Sequence, residues 1–274
     1  MRHGWTVLKL GGELLEEPAR LREVAVAVAR GGSKVPLVVV HGGGREIDAA
    51  LARAGIQKRQ VEGLRITDAA TLGVVVEVLA GAVNTRLVAA INSAGGRAVG
   101  LTGADAGVAL VEAAPPHTSA DGTVTDLGFV GRPIGNEWPR LLLDLGADGY
   151  VPVVASIGMT VEGTLFNVNA DTLAAHLAAR LAAARLVVAG GTPGVLDPAG
   201  RTIAVLDRTA AGALIASGAA SAGMVAKLRA CGEALENGAA EVLLIDGRRA
   251  HAIETVLTTA GDRHLAVPFT RMVA

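Results

Sequence analysis

The 274-residue sequence is poor in aromatic residues, has one cysteine and carries almost no net charge. Aromatic residues make up 2% of the chain and hydrophobic residues 51%, so the core must be built mainly from Ala, Val and Leu. Lys and Arg number 25 against 26 Asp and Glu, which lacks the basic footprint of a protein that binds nucleic acid or an anionic membrane. The lone Cys231 excludes an internal disulfide and predicts a buried, unreactive thiol in a reducing compartment.

Signals that send a chain to or through a membrane are also missing. Met1–Leu10 has no apolar run followed by a small-residue cleavage site. The most apolar long stretch, Ala170–Gly191, contains Asp171 and His176 as well as arginines, whereas a membrane-spanning helix needs about 20 apolar residues in a row. We therefore expect a soluble, cytoplasmic protein.

Short apolar runs alternate with longer segments of helical period along the chain. Several runs are apolar on both faces, as strands of a parallel sheet covered by helices are. The alternation predicts an α/β fold, a three-layer αβα sandwich around a mainly parallel central sheet, with two lobes at residues 1–183 and 184–274. The predicted strands are Thr6–Leu10, Leu37–Val40, Arg97–Leu101, Val108–Val111, Val151–Ala155, Arg185–Ala189 and Glu241–Ile245. The predicted helices are Ala19–Arg30, Glu46–Ala54, Asp68–Ser93, Glu137–Leu145, Ala170–Ala183, Ala222–Asn237 and Ala250–Thr259.

Two segments interrupt this rhythm. Asp121–Arg132, with the sequence DGTVTDLGFVGR, predicts a β-hairpin or paired short strands inserted into the sandwich. Gly190–Gly200 is rich in Gly and Pro and predicts surface loops at the start of the second lobe.

Glycine clusters follow the first two predicted strands, in Lys9–Gly12 (KLGG) and His41–Gly44 (HGGG). Ligands of open parallel sheets bind beyond the carboxyl ends of the strands, and bare backbone there can donate N–H groups to phosphate oxygens. Glycine costs roughly 0.5–1 kcal/mol relative to alanine in backbone entropy, so its use needs a reason. Neither cluster has the spacing of a P-loop or of a dinucleotide-binding loop. Tight turns remain the alternative explanation.

Three basic residues lie where an anion would be bound. Lys9 closes an otherwise apolar strand, a costly place for a lysine unless it meets an anion or is exposed at the strand end. Lys227 lies near the start of a predicted helix, where a cation opposes the helix dipole. Arg65, in EGLRITD, could bind a carboxylate through its forked guanidinium, although a plain surface charge is the alternative.

Three polar residues alternate in the segment GTLFNVNAD, at Asn167, Asn169 and Asp171. One of them suffices to cap the helix that follows. The other two exceed that need and favour a functional role.

Together these segments resemble acetylglutamate kinases of the amino acid kinase family. The resemblance extends in order from Lys9 to about Asp246. The matching stretches are KLGGELL, VVVHGGGREI, EGLRITDAATL, AGAVNTRLVAAIN, AVGLTGADAG, DLGFVGR, VPVVASIG, GTLFNVNAD and GMVAKL. The combination of NVNAD with HGGG and GLR-T-D is specific for this family, whereas its glycine elements alone also occur in carbamate kinases and aspartokinases.

The resemblance implies that the γ-carboxylate of N-acetyl-L-glutamate attacks the γ-phosphorus of ATP, which gives an acyl phosphate and ADP in arginine biosynthesis. It implies that Lys9 and Lys227 neutralise the transferring phosphoryl group and that Asp171 holds both lysines. Backbone N–H groups of Gly11, Gly12 and Gly44 would bind phosphoryl oxygens. The acidic substrate would be held by Gly43, Gly44, Arg65 and Asn167, the last two on its α-carboxylate. Mg²⁺ would be carried on the nucleotide, since no carboxylate pair is evident as its protein ligand.

The resemblance also places the nucleotide on the second lobe. The implied nucleotide-binding residues are Gly191, Thr192, Gly194, Val195, Leu196, Ser221, Gly223 and Met224. The departures from the family pattern concentrate on this side. Gly191 replaces an acidic residue, Ala222 replaces a glycine or aspartate, and the C-terminal GDRHLAVPFTRMVA lacks a Gly-Thr ending. ATP use is therefore less firmly implied than the acyl acceptor.

Only eight residues precede Lys9, whereas arginine-inhibited members of the family carry an additional N-terminal helix that links dimers into a hexamer. The expectation is a plain homodimer that is insensitive to arginine. A nitrogen-signalling protein binds some members of the family, and the sequence does not decide whether this chain has such a partner.

Two alternatives to a kinase acting on free acetylglutamate stay open at this point. One is a kinase for aminoadipate or glutamate on a small carrier protein, for which Lys58 and Arg59 near Arg65 are thin support. The other is a catalytically silent regulatory protein that binds acetylglutamate. The presence of Lys9, Asp171 and Lys227 together argues against the silent protein.

Overall fold

The computed structural model of the protein describes residues 4–119, 121–218, 220–249, 251–259 and 267–273. The strands in these ranges are β1 (Thr6–Leu10), β2 (Leu37–His41), β3 (Gln60–Val61), β4 (Leu64–Arg65), β5 (Ala98–Thr102), β6 (Val111–Ala113), β7 (His117–Thr118), β8 (Val124–Thr125), β9 (Val130–Pro133), β10 (Val151–Ala155), β11 (Ile157–Met159), β12 (Leu165–Val168), β13 (Arg185–Gly190), β14 (Val205–Asp207), β15 (Val242–Asp246) and β16 (Phe269–Val273). The helices are α1 (Pro18–Gly32), α2 (Gly44–Arg53), α3 (Ala69–Val76), α4 (Asn84–Ser93), α5 (Arg140–Ala147), α6 (Ala170–Arg180), α7 (Arg208–Ala216), α8 (Ala222–Glu236) and α9 (Ala252–Thr258).

The central sheet has the strand order β14-β16-β15-β13-β1-β2-β10-β5 among the described residues. Six of its strands are parallel to one another. β16 runs antiparallel to β15, and β14 runs parallel to β16. Leu10, the last residue of β1, pairs in register with Ala189 of β13 and His41 of β2. Because the strands are parallel and in register, the glycine clusters after β1 and β2 emerge at the same edge of the sheet.

Helices cover both faces of the sheet, which confirms the predicted three-layer sandwich. Side chains alternate along β1, so that Leu8 and Leu10 pack toward α1, α4 and α9, whereas Val7 packs toward α6 and α8. Both clusters consist mainly of Ala, Val, Leu and Ile, as the composition predicts. Alanines on α6 and α8 line the contact between these two helices, and small side chains let helix axes approach closely. The predicted division into two lobes stays a prediction.

A second, smaller sheet has the order β11-β12-β9-β6 and lies next to the carboxyl end of β10. Asp121–Arg132 contains β8 and most of β9, but the predicted hairpin or pairing is wrong, because these two strands do not pair with each other. Instead β8 pairs with β7, and β9 pairs with β6 and β12. The predicted strand Val108–Val111 is displaced to β6, because a 3-10 turn at Asp105–Gly107 with positive φ at Ala106 and Gly107 comes first.

Several elements were not predicted, among them β12, β14, α7 and β16. β12 carries Phe166 and Asn167 into the small sheet, where the sequence predicted only the approach to a helix. The predicted helix at Ala250–Thr259 is present as α9, although Ala250 itself lies outside the described residues, as do residues 260–266 of the C-terminal segment.

Ala69–Ser93 is the one helical stretch within the described ranges that is long and apolar enough to cross a membrane, judged by length and composition alone. It joins α3 and α4 through a π-helical segment, Glu77–Val83. Six of its apolar residues are buried in the core cluster on one face of the sheet, namely Val75, Val78, Leu79, Val83, Leu87 and Ile91. The stretch named from the sequence, Ala170–Gly191, divides into helix α6 and strand β13 instead.

Candidate active site

Glycines allow the chain segments after β1 and β2 to touch. A Cβ atom on Gly12 would lie 3.1 Å from the Cα atom of Gly43, and a Cβ atom on Gly43 would lie 3.0 Å from Leu79 Cδ2. None of the glycines in Lys9–Gly12 and His41–Gly44 has a positive φ. Gly12 is therefore needed for the close approach of two backbones and Gly43 for the close approach of Leu79, and none of these glycines is required by a left-handed conformation. Leu79 comes from the π-helical segment, a kind of helix distortion that is frequent beside functional sites.

Two of the three predicted N–H donors have the expected placement. Gly12 begins a short 3-10 helix, Gly12–Leu14, and Gly44 begins α2, so neither N–H has a partner within its own helix. Both residues line one cleft. The Gly11 N–H does not have this placement, because it donates to the carbonyl oxygen of Ala189 at 2.9 Å and so extends the β1–β13 ladder beyond the strand.

A buried carboxylate connects the two predicted lysines. Lys9 Nζ lies 2.9 Å from Asp171 Oδ1, and Lys227 Nζ lies 3.6 Å from Asp171 Oδ2. The side chains of Lys9 and Asp171 are 8% and 9% exposed, and that of Lys227 is 27% exposed. Lys9 comes from β1, Asp171 from the first turn of α6 and Lys227 from α8, so three elements distant in sequence meet here.

Charge compensation explains how Asp171 stays ionised. Burial alone would raise the pKa of Asp171, but the adjacent Lys9 and Lys227 outweigh burial and hold this pKa below its ordinary value. The neighbouring Asn169 is the N-cap of α6, and its side chain accepts hydrogen bonds from the N–H groups of Asp171 and Thr172 at 2.8 and 3.1 Å. Because Asn169 caps the helix, the Asp171 carboxylate is left for the lysines.

The predicted acceptor residues also come together. The guanidinium of Arg65 donates from Nη2 to Asp48 Oδ1 at 2.5 Å and to the carbonyl oxygen of Gly44 at 3.3 Å. Asn167 Nδ2 donates to Thr67 Oγ1 at 3.2 Å, and that hydroxyl donates to the Arg65 carbonyl oxygen, also at 3.2 Å. Arg65 Nη1 is buried and has no hydrogen-bond partner in the described part of the chain. An orphaned buried donor on an arginine marks a place for an anionic partner.

On the other side of the lysines, a cleft of about 580 Å³ opens. It gathers most of the predicted nucleotide residues at one place. The predicted site residues that line it are Gly12, Gly44, Gly191, Thr192, Ser221, Gly223, Met224 and Lys227.

Three predicted nucleotide residues are not in the lining of this cleft. Val195 is buried and donates its N–H to Thr270 Oγ1 at 2.7 Å, while Gly194 adopts φ +108° against the same threonine. Leu196 forms an isolated bridge with Thr202. For Gly194 and Val195 the structure therefore shows packing against β16, which was not predicted from the sequence.

Sequence reasoning missed other charged residues of the cleft, namely Glu13, Glu16, Arg45 and Arg248. Arg45 pairs with Glu16 at 3.3 Å. Glu13, Glu16 and Arg45 lie in or beside the matched stretches KLGGELL and HGGGREI, so proximity to the glycines was the available signal. Arg248 follows β15 and lies outside the matched stretches, so the sequence did not indicate that it lines the cleft.

His41 was also not singled out. It is completely buried at the end of β2, with Nδ1 3.2 Å from the carbonyl oxygen of Gly42 and no hydrogen-bond partner for Nε2 within the described ranges. Burial lowers the pKa of His41 to about 4 despite the Gly42 contact, and the charge of Arg86 adds to the lowering. The histidine is thus neutral at pH 7 and lies directly beneath the glycine loop.

Bare strand ends beside a carboxylate that holds two lysines are suited to bind and stabilise a phosphoryl group in transfer. The chain belongs to the amino acid kinase family, whose sequence pattern matches residues 4–246.

Within that family the chain is most informatively compared with curated acetylglutamate kinases. It is 40% identical over 263 residues to the acetylglutamate kinase of Sphingopyxis alaskensis, with 93% of this chain and 86% of the relative covered. It is 42% identical over 259 residues to that of Nitrobacter winogradskyi, with 92% and 86% covered. The resemblance read from the motifs is thereby confirmed.

Solved structures agree in fold. An N-acetylglutamate synthase from Neisseria gonorrhoeae, complexed with coenzyme A and N-acetylglutamate, superimposes with a TM-score of 0.81 at 24% identity. All of this chain matches 60% of that protein's chain. A Giardia carbamate kinase superimposes with a TM-score of 0.66 at 13% identity, with 100% and 99% of the two chains covered.

Proposed function

We propose that the protein transfers the γ-phosphoryl group of ATP to the γ-carboxylate of N-acetyl-L-glutamate, which gives N-acetylglutamyl phosphate and ADP in an early step of arginine biosynthesis. The observation that carries the proposal is the buried Asp171 carboxylate between Lys9 and Lys227, at 2.9 and 3.6 Å, with a glycine-lined cleft beside it. Curated acetylglutamate kinases at 39–42% identity support the choice of acceptor.

A carboxylate acceptor is already a nucleophile, so the reaction needs no general base. The γ-carboxylate oxygen forms a bond to the γ-phosphorus while the bond from that phosphorus to the β,γ-bridging oxygen breaks, and ADP leaves with the electron pair. Lys9 and Lys227 stabilise the charge on the transferring group and the leaving oxygen, while Asp171 fixes the position of both ammonium groups. The N–H groups of Gly12 and Gly44 bind phosphoryl oxygens without adding another cation.

The acceptor is held by its α-carboxylate, which pairs with the buried Nη1 of Arg65 and the amide of Asn167. Arg65 is preorganised for this role, because Asp48 and the Gly44 carbonyl oxygen already hold its Nη2. Gly43 and Gly44 leave room for the substrate at the end of β2. The contact of Arg65 with Gly44 links the acceptor side to a glycine that also lines the nucleotide cleft.

The nucleotide occupies the cleft beside Lys227, with Gly191, Thr192, Ser221, Gly223 and Met224 around it. No group of three or more His, Cys, Asp and Glu residues that could hold a metal ion is found among the described residues. Mg²⁺ would be carried on the ATP phosphates, where it would neutralise part of their charge. The role of the C-terminal lobe, residues 184–274, is to carry this nucleotide, while residues 1–183 bind the acceptor and form the dimer contact.

The comparisons do not favour the two alternatives. The curated relatives that match most of the chain are named acetylglutamate kinase, not carrier-dependent kinase or regulatory protein. Three charged residues at a transfer site would have no use in a protein that only binds acetylglutamate.

We also propose that the protein is a cytoplasmic homodimer. The apolar stretch Ala69–Ser93 has 39% of its most apolar window buried, and it lies beside β5, an edge strand with the exposed Gly100. A partly exposed apolar helix face next to an edge strand of the described sheet supports contact with a second copy. Sedimentation velocity should show a species of twice the chain mass of 27.6 kDa, and a monomer across the micromolar range would contradict this.

The first experiment measures ADP release with Mg-ATP and N-acetyl-L-glutamate, glutamate, aspartate, aminoadipate or carbamate as the acceptor. ADP release that depends on acetylglutamate, with an acyl phosphate trapped by hydroxylamine, is the expected result. The proposal would be overturned if calorimetry showed that acetylglutamate binds but no nucleotide supported turnover. The protein would then be a catalytically silent binding protein.

A further inference from the structure

Arg248 lies in the nucleotide cleft with a fixed guanidinium. It follows β15, whose last residue, Asp246, pairs in register with Gly190 of β13. Asp246 accepts hydrogen bonds from Arg248 Nε at 2.9 Å and Nη2 at 3.1 Å, and from the Arg248 backbone N–H at 3.0 Å. The Asp246 side chain is 9% exposed, whereas that of Arg248 is 54% exposed. A buried carboxylate thus orients an arginine that remains open to the cleft.

The surroundings of this guanidinium are shaped by Gly191. A Cβ atom at position 191 would lie 3.7 Å from Arg248 Cζ and 3.5 Å from Glu13 Oε1. The absence of a side chain at 191 leaves the guanidinium uncovered on the side of the strand end. The acidic group nearest to the Arg248 guanidinium on the side of the first glycine cluster is Glu13. Its carboxylate also lies close to the backbone of Gly11 and Gly190.

We propose that Arg248 binds a phosphate group of the nucleotide and is the third cation of the transfer site, with Lys9 and Lys227. This inference rests on the proposed function for the identity of the nucleotide. A guanidinium has five N–H donors, and Asp246 takes two of them through Nε and Nη2. The remaining donors suit the oxygens of a phosphate, which arginine binds in a planar, forked geometry. The phosphate replaces the Glu13 carboxylate near the guanidinium.

Arg249 supplies a matched control on the same turn. It is exposed like Arg248 but lines a different cavity, between α1 and α9, together with Arg22 and His251. Arg248→Met and Arg249→Met therefore remove the same charge from adjacent positions. A general loss of positive charge would affect both variants, whereas a direct phosphate contact would affect Arg248→Met alone.

The experiment is calorimetry with Mg-ADP and, separately, with inorganic tripolyphosphate, which has no base or ribose. Loss of a charged hydrogen-bonding partner predicts that Arg248→Met weakens binding of both probes by about tenfold or more, whereas Arg249→Met changes it less than twofold. Arg248→Lys should recover part of the affinity, since it keeps the charge but loses the fork. Glu13→Gln alone should strengthen tripolyphosphate binding relative to the wild type. The same substitution added to Arg248→Met should not strengthen it.

These outcomes are separate from the outcome for the overall reaction, because neither probe requires an acceptor. Equal loss in Arg248→Met and Arg249→Met would overturn the proposal. So would weaker binding of Mg-ADP with unchanged binding of tripolyphosphate, because Arg248 would then contact the base or ribose. Unchanged affinity in Arg248→Met for both probes would overturn it as well, whether or not acetylglutamate is the acceptor.

Discussion

The two sides of the proposed active site differ in how far their charged side chains are exposed to solvent. On the acceptor side, Arg65 is 13% exposed and bonded to Asp48 and Gly44, while Asn167 is bonded to Thr67. On the nucleotide side, Lys227 is 27% exposed and Arg248 is 54% exposed. A charge that is exposed to water is screened more strongly than a buried one. The charges on the proposed acceptor side should therefore act more strongly on a bound anion, although the Arg248 guanidinium is itself held by Asp246.

Asp171 stands between these two sides, since it holds Lys9 from the sheet and Lys227 from the nucleotide side. Changes at the lysines or at Asp171 should reduce the transfer step itself. Changes at Arg65 should affect the acceptor alone. The comparison predicts that kcat and the two KM values respond separately.

The largest effect is expected for Lys9→Met. Removing a cation that stabilises the transferring phosphoryl group should lower kcat about 10³-fold, by analogy with cationic stabilisation in other phosphoryl transfers. Lys227→Met should act similarly on kcat and should also weaken Mg-ATP binding. Steady-state kinetics with both substrates varied will measure this, with circular dichroism as the check on folding. A loss in kcat of less than tenfold would remove the proposed role of Lys9.

Asp171→Asn should have the next largest effect. The substitution keeps the shape of the side chain but removes the charge that positions both ammonium groups, and a decrease in kcat of about 10²-fold is expected. Binding of acetylglutamate, measured by calorimetry, should change far less than kcat. The opposite pattern, with weak acetylglutamate binding and normal turnover at saturation, would show that Asp171 belongs to the acceptor pocket.

Arg65→Ala should chiefly raise the KM for acetylglutamate. Loss of a charged hydrogen bond to the α-carboxylate predicts an increase of about 10- to 100-fold, with the KM for Mg-ATP nearly unchanged. Arg59, exposed in the same loop region, offers a matched control, and Arg59→Ala should leave both KM values unchanged. If Arg59→Ala raised the acceptor KM as much as Arg65→Ala, the effect would be one of general charge.

The parts of the site that could be predicted from the sequence are those carried by contiguous motifs. The fold followed from the alternation of apolar runs, whereas the meeting of Lys9, Asp171 and Lys227 was implied by the family resemblance. The engagement of the Gly11 N–H with Ala189 could not be predicted, because it depends on which strand neighbours β1. β13 is more than 170 residues further along the chain, and no local pattern encodes that pairing.

Arg248 and the Gly194–Val195 turn illustrate the same limit. The turn is held by Thr270 of β16. Among the described strands of the central sheet, β16 pairs antiparallel with β15. The proposed role of Arg248 depends on the register that places Gly190 beside Asp246 and so brings two loops together. Residues whose function depends on long-range register are the ones that sequence patterns miss.

The smallest expected effect is the contribution of the buried His41 to the pH dependence of stability. His41 is completely buried at the end of β2 and lies outside the lining of the nucleotide cleft, so its protonation should change stability more than kinetics. The pKa of His41 is lowered from 6.5 to about 4 in the folded protein. Between these values the unfolded chain binds a proton that the folded chain does not. The free energy of unfolding therefore falls as the pH is lowered from about 6.5 to 4, and His41 contributes about 2–3 kcal/mol to that decrease.

Urea unfolding at pH 7, 6, 5 and 4.5 measures this dependence. His41→Asn should lower stability at pH 7 but flatten the decrease below pH 6.5, because the buried titrating group is gone. The exposed His251→Gln variant should keep the wild-type slope. His176, whose pKa burial also lowers to about 4, contributes in the same direction, so some pH dependence should remain in His41→Asn. A His41→Asn slope equal to that of the wild type would mean that the ring is already charged, or hydrated, beneath the loop that joins the two sides of the site.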